Sequence, residues 1–494
     1  MSKILIEETI EEVIDKLIER SESFDQKNKE LIKKDGVVFT DRAICTKIIE
    51  KIEPNINETI CEPSVGKGSF VLNLLDYFRR KNHSIYEIID FVENRLYCFD
   101  INEIFIDEAK FLIESYIKIF EPNYTLKTKN INCSDFLSNQ QEYDLILGNP
   151  PYVRIQNIDG QYLKTLKYDL KSLKLGNIDL YYAFLEKAIL TSKRFGFIIP
   201  NSFIKNKSGL FIREILFNNI EYIFDFENEK VWNQISTYTC IVMCNNTSLC
   251  DSIKYETKKG IIDKNKNELS NDKWIFFDYE DGENNLSDYI HYQQNGIATL
   301  RDKIFKVDFS DGVLKKDGFE IEKEICSKII KVTKSKKFED YTWIIYPYDQ
   351  SGKIIKEDVL SENYPNAYKY LLSQKNQLSK RDKGKTSKYD AWYAYGRRQG
   401  LLRKTNGTKI LLPLVFSKKN GIHFIKVPND DNCLVLSGIM VDVINEDLDK
   451  FISVIKSEEF TNYCLIQNKI MSGTNNDDLW PTITTTTLSK FKHK

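Results

Sequence analysis

The chain has 494 residues, 41% hydrophobic and 29% charged, which is typical of a folded protein with two or three domains. Its 71 Lys and Arg residues and 72 Asp and Glu residues give a formal net charge of -1, so any nucleic-acid-binding surface must be a local patch. The N-terminus lacks the apolar core of a signal peptide, and no apolar run approaches the roughly 18–20 residues of a membrane span. The sequence therefore predicts a cytoplasmic protein with no membrane partner.

The ten cysteines are scattered without paired spacing. Cys240 and Cys244 are followed by Cys250, but no CxxC pair or nearby histidine completes a zinc site. We therefore expect reduced, mostly buried thiols and no bound metal.

The pattern of predicted elements divides the chain into three parts. Residues 1–35 repeat apolar positions at helical spacing, which predicts an amphipathic helix packing on the next domain. Residues 36–245 alternate strand-like and helix-like runs, which predicts a mostly parallel sheet covered by helices. Residues 246–494 lose this alternation and are expected to form an irregular α+β domain. The predicted strands and helices are, in chain order, 58–61, 70–75 (helix), 95–99, 104–119 (helix), 144–147, 181–190 (helix), 195–199, 222–226 and 239–243.

The motif Asn149-Pro150-Pro151-Tyr152 directly follows one of these strands. Two consecutive prolines lack N–H donors and fix φ, so the strand stops there and the chain is stiff. In an open α/β sheet, ligands bind at this carboxyl end of the strands. An amide, rigid carbonyls and an aromatic ring together suit an amino nitrogen on a flat ring. The alternative is a plain Pro-Pro loop after a buried strand. No histidine lies near the motif in sequence, so no His-centred mechanism is predicted there.

Two motifs upstream of Asn149 also fall at predicted strand ends. Glu62, Gly66 and Gly68 lie between the first strand and helix, where a backbone without Cβ atoms can approach a ligand and helix amides can meet a carboxylate. The alternative is a tight turn. Asp100 ends the second strand, where it can accept hydrogen bonds from both ribose hydroxyls or cap the following helix.

The pair Asp135-Phe136 follows the run 131–134. The carboxylate can accept a hydrogen bond from an exocyclic amine while the ring covers a purine face; the alternative is a loop acid beside a core aromatic. The motifs, including Thr40, follow one another at the strand ends of one domain. Their order predicts a site for an adenosyl ligand beside a site for a planar amine.

These motifs resemble those of the γ-class, TaqI-like N6-adenine DNA methyltransferases of restriction–modification systems, which use S-adenosyl-L-methionine. The resemblance covers residues 36–245 and, less closely, the second half. It implies an α/β, Rossmann-like methyltransferase domain with a C-terminal α+β target-recognition domain that binds double-stranded DNA. The run 36–40 is similar to the family's first cofactor motif, although Asp41 stands where proline is usual.

The resemblance implies roles for individual residues. The run 179–186 resembles the helix whose phenylalanine lies near the cofactor sulfonium, and the aromatic at 232 would pack on the second face of the target base. The implied catalytic residues are Asn149, Pro150, Pro151 and Tyr152. The implied cofactor-binding residues are Thr40, Glu62, Gly66, Gly68, Asp100, Asp135, Phe136, Asn149 and Phe184. The implied base-stacking residues are Tyr152 and Trp232. The segments 296–301, 343–348 and 395–400 look like parts of target-recognition domains.

A direct transfer mechanism follows as a hypothesis. The lone pair of adenine N6 is delocalised into the ring, so N6 is a weak nucleophile. If the side-chain oxygen of Asn149 and the carbonyl of Pro150 accept its two hydrogens, the nitrogen can pyramidalise and attack the sulfonium methyl without a covalent enzyme intermediate. The base is unreachable inside the duplex, so it must flip out.

A basic stretch at residues 375–409 contains interleaved aromatic residues. Arg397 or Arg398 could bind guanine bidentately, and Lys380 and Arg381 could contact phosphates. The alternative is a solvated charged loop.

Other functions stay open. A protein glutamine amide or an RNA base also presents a conjugated amino group, and a non-enzymatic DNA-binding subunit is a third hypothesis. The long second half favours a sequence-reading domain, and the intact motifs favour an enzyme. No separate nuclease-sized region is evident, so the expectation is a stand-alone, monomeric methyltransferase whose cognate restriction endonuclease acts separately.

Overall fold

The structure is a computed structural model, and it describes residues 12–13, 16–17, 40–158, 160–174, 179–227, 229, 231–232, 237–270, 273–277, 282–384, 386–401, 405–428, 431–467, 470–471 and 480–493. The predicted N-terminal helix over residues 1–35 lies almost entirely outside the described residues. The chain divides into two compact units, Met1–Phe276 and Phe277–Lys494.

A nine-stranded sheet forms the centre of the first unit. Its order is β3-β2-β1-β4-β5-β7-β6-β8-β9. The first five strands are parallel, and β7 lies antiparallel between β5 and β6. The order reverses direction between β1 and β4, and ligands bind at the carboxyl ends of the strands beside such a switch point. The strands are β1 Ile60–Glu62, β2 Leu96–Asp100, β3 Ile131–Cys133, β4 Tyr143–Gly148, β5 Ser192–Pro200, β6 Ile220–Asp225, β7 Thr239–Asn245, β8 Ser252–Thr257 and β9 Gly260–Asn265.

Amphipathic helices pack on this sheet. The apolar positions of the first helix, such as Ile48 and Ile49, are buried in one core with Ile60 of β1 and Leu145 of β4. Apolar residues at helical spacing therefore form a continuous buried layer against the sheet. The helices are Arg42–Ile52, Ser69–Arg80, Ile85–Asn94, Glu103–Lys118, Gly160–Asp169, Tyr181–Thr191 and Leu210–Leu216.

The predicted fold class of this unit is confirmed, and its extent differs from the prediction. All six predicted strands are present, and within residues 36–245 the structure adds β3 and the helices Arg42–Ile52, Ile85–Asn94, Gly160–Asp169 and Leu210–Leu216. The sequence placed the end of the domain at residue 245, whereas β8 pairs in parallel with β6 and β9 pairs with β8. β8 alternates buried and more exposed positions, and no position of β9 is buried, so both strands resemble a polar loop in sequence.

The second unit is α+β, as expected. It contains a six-stranded sheet and a four-stranded sheet, and most of its strands are short and antiparallel. Its helices are Asp302–Phe305, Glu357–Asn363, Pro365–Ser373, Lys375–Ser379, Leu448–Lys456, Glu458–Gln467 and Thr485–Lys490. Its strands are Asn284–Asn285, Ile290–Asn295, Lys306–Ser310, Val313–Lys316, Phe319–Ile321, Cys326–Ile330, Thr342–Ile345, Thr408–Pro413, Ile425–Lys426, Cys433–Val435, Gly438–Val443, Ile470–Met471, Trp480–Pro481 and Lys492–His493. Among the described residues of both units, no helix has the length and apolarity to cross a membrane.

Candidate active site

The glycine-rich loop joins the end of β1 to the helix Ser69–Arg80. Gly66 and Gly68 have φ of 50° and 85°, a left-handed conformation that favours glycine. A Cβ atom at Gly68 would lie 3.3 Å from the Cα atom of Ala109. The backbone N–H of Gly66 donates to Oδ2 of Asp100 at 3.0 Å, so the loop is held against the end of β2. The conformation of the glycine-rich loop is thus fixed in part by its hydrogen bond to Asp100.

The alternative role of Asp100 as a helix cap does not hold. The cap of the next helix is Asn102, whose side chain accepts from the N–H of Ile104. Asp100 instead accepts from the N–H groups of Gly66 and Asn102, each at 3.0 Å. Its carboxylate therefore lies between the two strand-end loops.

Glu62 at the end of β1 is 3% exposed. Burial, followed by the neighbouring Asp100 carboxylate, raises the pKa of Glu62 well above its usual range, and a backbone hydrogen bond from Val71 opposes this shift. Its Oε2 atom has no hydrogen-bond partner among the described residues. A buried carboxylate oxygen without a hydrogen-bond partner is stabilised when a cationic ligand group binds to it, because buried charges need a partner.

Asp135 and Phe136 lie where β3 ends, and the structure gives them different surroundings from those expected. Asp135 accepts hydrogen bonds at 2.9 Å from the N–H of Leu137 and from the hydroxyls of Ser138 and Tyr162. Phe136 is 2% exposed. The ring therefore lies in the core beside two other aromatic rings, as in the alternative interpretation, and is not open to a purine in this structure. The two neighbouring rings are Phe99 at 5.9 Å and Phe184 at 5.8 Å between ring centroids.

Asn149 is tied to two parts of the chain that are distant in sequence. Its Nδ2 donates to Oγ1 of Thr40 at 3.0 Å, and its backbone carbonyl accepts from Oγ of Ser64 at 3.0 Å. The hydrogen bond to Thr40 fixes the orientation of the side-chain amide, with Nδ2 toward Thr40 and Oδ1 on the other side of the amide group. Ser64 lies inside the glycine-rich motif, but its contact with Asn149 had no sequence signal.

Tyr152 and Trp232 lie close together at the same edge of the sheet. The hydroxyl of Tyr152 donates to the carbonyl of Ile198 on β5 at 3.1 Å, and burial raises the pKa of Tyr152 well above its usual range. The two ring centroids are 6.2 Å apart with an interplanar angle of 64°. The rings are therefore in edge-to-face contact and do not form the parallel pair expected for a base between them.

In the second unit, Arg381 is a structural residue. It is 2% exposed, and its guanidinium donates to backbone carbonyls of Leu378, Thr299, Ala394 and Trp392. The predicted phosphate contact by Arg381 is therefore wrong, because every arm of the side chain is used inside the unit.

The remaining cations of the basic stretch are at the surface. Lys380 is exposed. Arg397 donates through both terminal nitrogens to Asp382, and Arg398 pairs with Asp390; the two arginine side chains are 51% and 76% exposed. Both guanidinium groups can therefore be reached by a ligand that replaces the acidic partner.

The family described as Eco57I restriction-modification methylase matches residues 67–232. This range includes Gly68, Asp100, Asp135, Asn149 and Trp232. The fold and the motif order define a Rossmann-like methyltransferase unit, and the match confirms its resemblance to the methyltransferases of restriction–modification systems.

Curated relatives agree with this family. The chain is 26% identical to the Type II methyltransferase M.HindII of Haemophilus influenzae, over 79% of this chain and 76% of that protein. It is also 26% identical to RM.Eco57I, a Type II restriction enzyme and methyltransferase of Escherichia coli, over 54% of this chain and 32% of that protein. For M.AccI of Acinetobacter calcoaceticus the identity is 26%, over 52% of this chain and 45% of that protein. The chain thus spans less than half the length of the last two relatives.

Two solved structures share the fold over most of the chain. The Type IIL restriction-modification enzyme MmeI in complex with DNA is similar with a TM-score of 0.55 and 13% identity, over 93% of this chain and 66% of that chain. The DrdV–DNA complex gives a TM-score of 0.54 and 13% identity, over 90% of this chain and 54% of that chain. The predicted α/β fold with an α+β second part is confirmed.

Proposed function

We propose that the chain is a site-specific DNA methyltransferase that transfers a methyl group from S-adenosyl-L-methionine to N6 of an adenine flipped out of double-stranded DNA. The observation that carries the proposal is the fixed orientation of Asn149 at the carboxyl end of β4. Its amide nitrogen is bonded to Thr40 and its backbone carbonyl to Ser64. The motif is therefore held rigidly at the edge where ligands of such sheets bind.

The Asn149 amide acts as a hydrogen-bond acceptor. Because Nδ2 is turned to Thr40, Oδ1 is the atom that accepts one N6 hydrogen, and the Pro150 carbonyl accepts the other. Two acceptors remove the N6 lone pair from conjugation and direct it away from the ring plane. Acceptors that are already in place need no rearrangement during the reaction, which is why such positioning lowers the barrier.

The residues at the ends of β1 and β2 fit the cofactor. When bound, S-adenosyl-L-methionine supplies an electrophilic methyl group on a sulfonium centre. Glu62 places a buried carboxylate oxygen where the ammonium of the methionine moiety would bind. Carboxylate oxygens accept more than one hydrogen bond, so Asp100 can bind ribose hydroxyls while it holds Gly66. Phe136, being buried, supports the ring of Phe184 from below.

The target base would stack between Tyr152 and Trp232. Tyr152 is fixed through its hydroxyl on Ile198, so Trp232 is the ring that must rotate to admit a base. Stacking of a base on an aromatic side chain stabilises it by roughly 1–3 kcal/mol, enough to offset part of the cost of unpairing.

Sequence reading is assigned to Arg397 and Arg398, and phosphate binding to Lys380. A guanidinium already held in bidentate geometry by Asp382 presents the fork that guanine O6 and N7 accept. An exposed ion pair is weak, so a base can replace the acid at small cost. A cognate endonuclease stays a prediction; DNA methylated by this chain would be resistant to it.

The Asn149→Ala variant tests the proposal. We expect that calorimetry still detects cofactor binding and that transfer falls by roughly 10²–10³-fold, the usual effect of removing one positioned hydrogen-bonding group. Asn219→Ala is the matched control. Asn219 is also half-buried, and it directly precedes β6, at the edge of the sheet opposite to Asn149. Full transfer activity in Asn149→Ala would refute the mechanism.

The choice of substrate is tested separately. Labelled cofactor is incubated with DNA, RNA and protein, and the modified group is identified by mass spectrometry. We expect N6-methyladenine in DNA. Label in glutamine or RNA would replace the proposed substrate with the alternative, and N4-methylcytosine would refute the base assignment.

A further inference from the structure

The carboxyl end of β5 contacts Tyr152 and the chain on either side of Trp232. The carbonyl of Ile198 accepts from the hydroxyl of Tyr152 at 3.1 Å. Three residues later, the backbone N–H of Asn201 donates to the carbonyl of Tyr238 at 3.0 Å, and its Nδ2 donates to the carbonyl of Glu227 at 3.3 Å. Glu227 and Tyr238 lie on opposite sides of Trp232 in sequence. One strand end therefore holds Tyr152 and both flanks of the segment that carries Trp232.

Asp225, at the carboxyl end of β6, completes this arrangement. It is 8% exposed, and it accepts from Nδ2 of Asn201 at 2.9 Å, from the N–H of Glu227 at 2.8 Å and from the hydroxyl of Tyr255 at 2.7 Å. Tyr255 is itself fixed, since its ring stacks on Phe276 with 4.1 Å between centroids and an angle of 9°. Asp225 is thus a rigid junction between Asn201 and the start of the Trp232 segment.

Burying a carboxyl group such as that of Asp225 costs free energy, so it is an unfavourable choice if the only role is to stabilise a strand end. Burial raises the pKa of Asp225, and the hydrogen bonds from Asn201 and Tyr255 lower it. A buried carboxyl needs all of its hydrogen bonds to be tolerated, whereas an apolar residue would pack without them. What the acid adds is directionality, because each of its three bonds fixes the position of one neighbour.

We propose that Asn201 and Asp225 are positioning residues for the target base, which hold the main chain on both sides of Trp232 at a fixed distance from Tyr152. This inference rests on the proposed function. The contact between the two rings is edge-to-face, so a base enters only after Trp232 rotates. Because Asn201 bonds the carbonyls of Glu227 and Tyr238, it sets where the chain that carries Trp232 leaves and rejoins the sheet, and so the spacing at which the ring can meet the base. Neither Asn201 nor Asp225 touches the base.

The test separates base capture from cofactor binding. The methylated DNA site is first mapped with the unaltered chain, and 2-aminopurine is then placed at the target adenine, where its fluorescence reports flipping and stacking. For Asn201→Ala we expect roughly tenfold weaker base capture and slower transfer, the effect of losing a buried hydrogen bond. The KM for S-adenosyl-L-methionine should not change, because Asn201 lies outside the loops at β1 and β2.

Three further variants guard against simple misfolding. Asn139→Ala is the matched control: Asn139 is half-buried and makes two hydrogen bonds, to Tyr143 and Gln141, away from Trp232. Asn201→Asp places a second acid beside Asp225 and should lose base capture more severely. Combining it with Asp225→Asn restores a donor–acceptor pair and should recover part of the activity.

The outcomes are distinct. If the unaltered chain does not methylate DNA, the proposed function fails. If it does, and Asn201→Ala captures the base as well as Asn139→Ala does, the positioning role is overturned. Equal losses of base capture and cofactor binding would also overturn it, since they indicate general destabilisation. Strictly additive effects in the Asn201→Asp and Asp225→Asn pair would show that the two residues do not act together.

Discussion

At the residue scale, Glu62 combines burial with a side-chain oxygen, Oε2, that we propose binds the cofactor ammonium. A charge buried for a ligand destabilises the protein when the ligand is absent. We expect Glu62→Gln to raise the melting temperature of the ligand-free protein at neutral pH, and to weaken cofactor binding in calorimetry. The folded-state pKa of Glu62 is raised, so its contribution to stability is lost as pH rises above the usual value of 4.5. The advantage of the variant should therefore grow over that pH range.

Glu186→Gln provides the matched control. Glu186 is also buried at 7% exposure, but its two oxygens accept from the N–H groups of Lys171 and Ser172. An amide nitrogen turned toward one of these donors loses a hydrogen bond, so this variant should lower the melting temperature. A lower melting temperature for Glu62→Gln with unchanged cofactor affinity would contradict the role of Glu62.

Single residues also show what could and could not be predicted from the sequence. Strand-end acids such as Asp100 were identifiable because the motif order fixes where each strand stops. Arg381 was misassigned because a lysine- and arginine-rich stretch does not reveal which cation is buried. Its partners include the carbonyl of Thr299, which is far away in the chain. Such a contact exists only once the unit has folded.

At the scale of elements, β4 positions the motif that we propose is catalytic, and Asp144 anchors the amino end of this strand. Asp144 accepts from the N–H and hydroxyl of Thr59, each at 2.8 Å, and pairs with Lys193 at the start of β5. The Lys193 side chain, followed by the Thr59 backbone, lowers the pKa of Asp144 from 3.8 to about 2. The three central strands are thus tied together at the edge opposite to Asn149.

This anchor predicts a pH-dependent stability difference. The depressed pKa of Asp144 contributes stability above its usual value of 3.8, and that contribution is lost as pH falls toward about 2. Asp144→Asn should therefore melt below the unaltered chain at neutral pH, and the gap should close at acid pH. Thermal melts of both proteins across this range measure it. A gap that does not depend on pH would show that ionisation of Asp144 is irrelevant.

The elements that the sequence predicted are those with strong periodicity. β4 and β5 are apolar runs buried on both faces, and their neighbours are helices with clear apolar stripes. β8 was missed because polar and apolar residues alternate along it, and β9 because its positions are exposed or only partly buried. Edge strands with one solvated face have the composition of loops.

At the scale of the whole molecule, the net charge of -1 leaves DNA binding to local cations. Lys380→Ala should lower the slope of log affinity against log salt by about 0.9, the effect of one phosphate contact, without changing site preference. Replacing Arg397 and Arg398 together with alanine should alter site preference. Binding titrations at several salt concentrations, on DNA with and without the methylated site, distinguish the two effects. Lys369→Ala, another exposed lysine of the second unit, is the control.

Asp382, the acidic partner of Arg397, should affect DNA affinity in the opposite direction from the cations. Asp382→Asn removes the carboxylate that, under the proposal, competes with guanine for Arg397, and it should tighten binding to DNA that contains the methylated site. Weaker binding of this variant would mean that Asp382 holds the arginine for DNA rather than restraining it.

The order of strands in the first unit also fixes the order in which its parts can assemble. In the described sheet β6 pairs with β7 and β8, and β5 pairs with β4 and β7. A chain emerging from the ribosome therefore completes β1 to β5, with the residues assigned to the cofactor, before β6 has a partner. β6 can join through β7 only when Thr239–Asn245 has been made, so the part of this edge that carries Trp232 forms after the ends of β1 to β5. Non-local pairing of this kind slows folding. The growing chain can therefore form the loops proposed to bind the cofactor before it forms the site proposed to stack the target base.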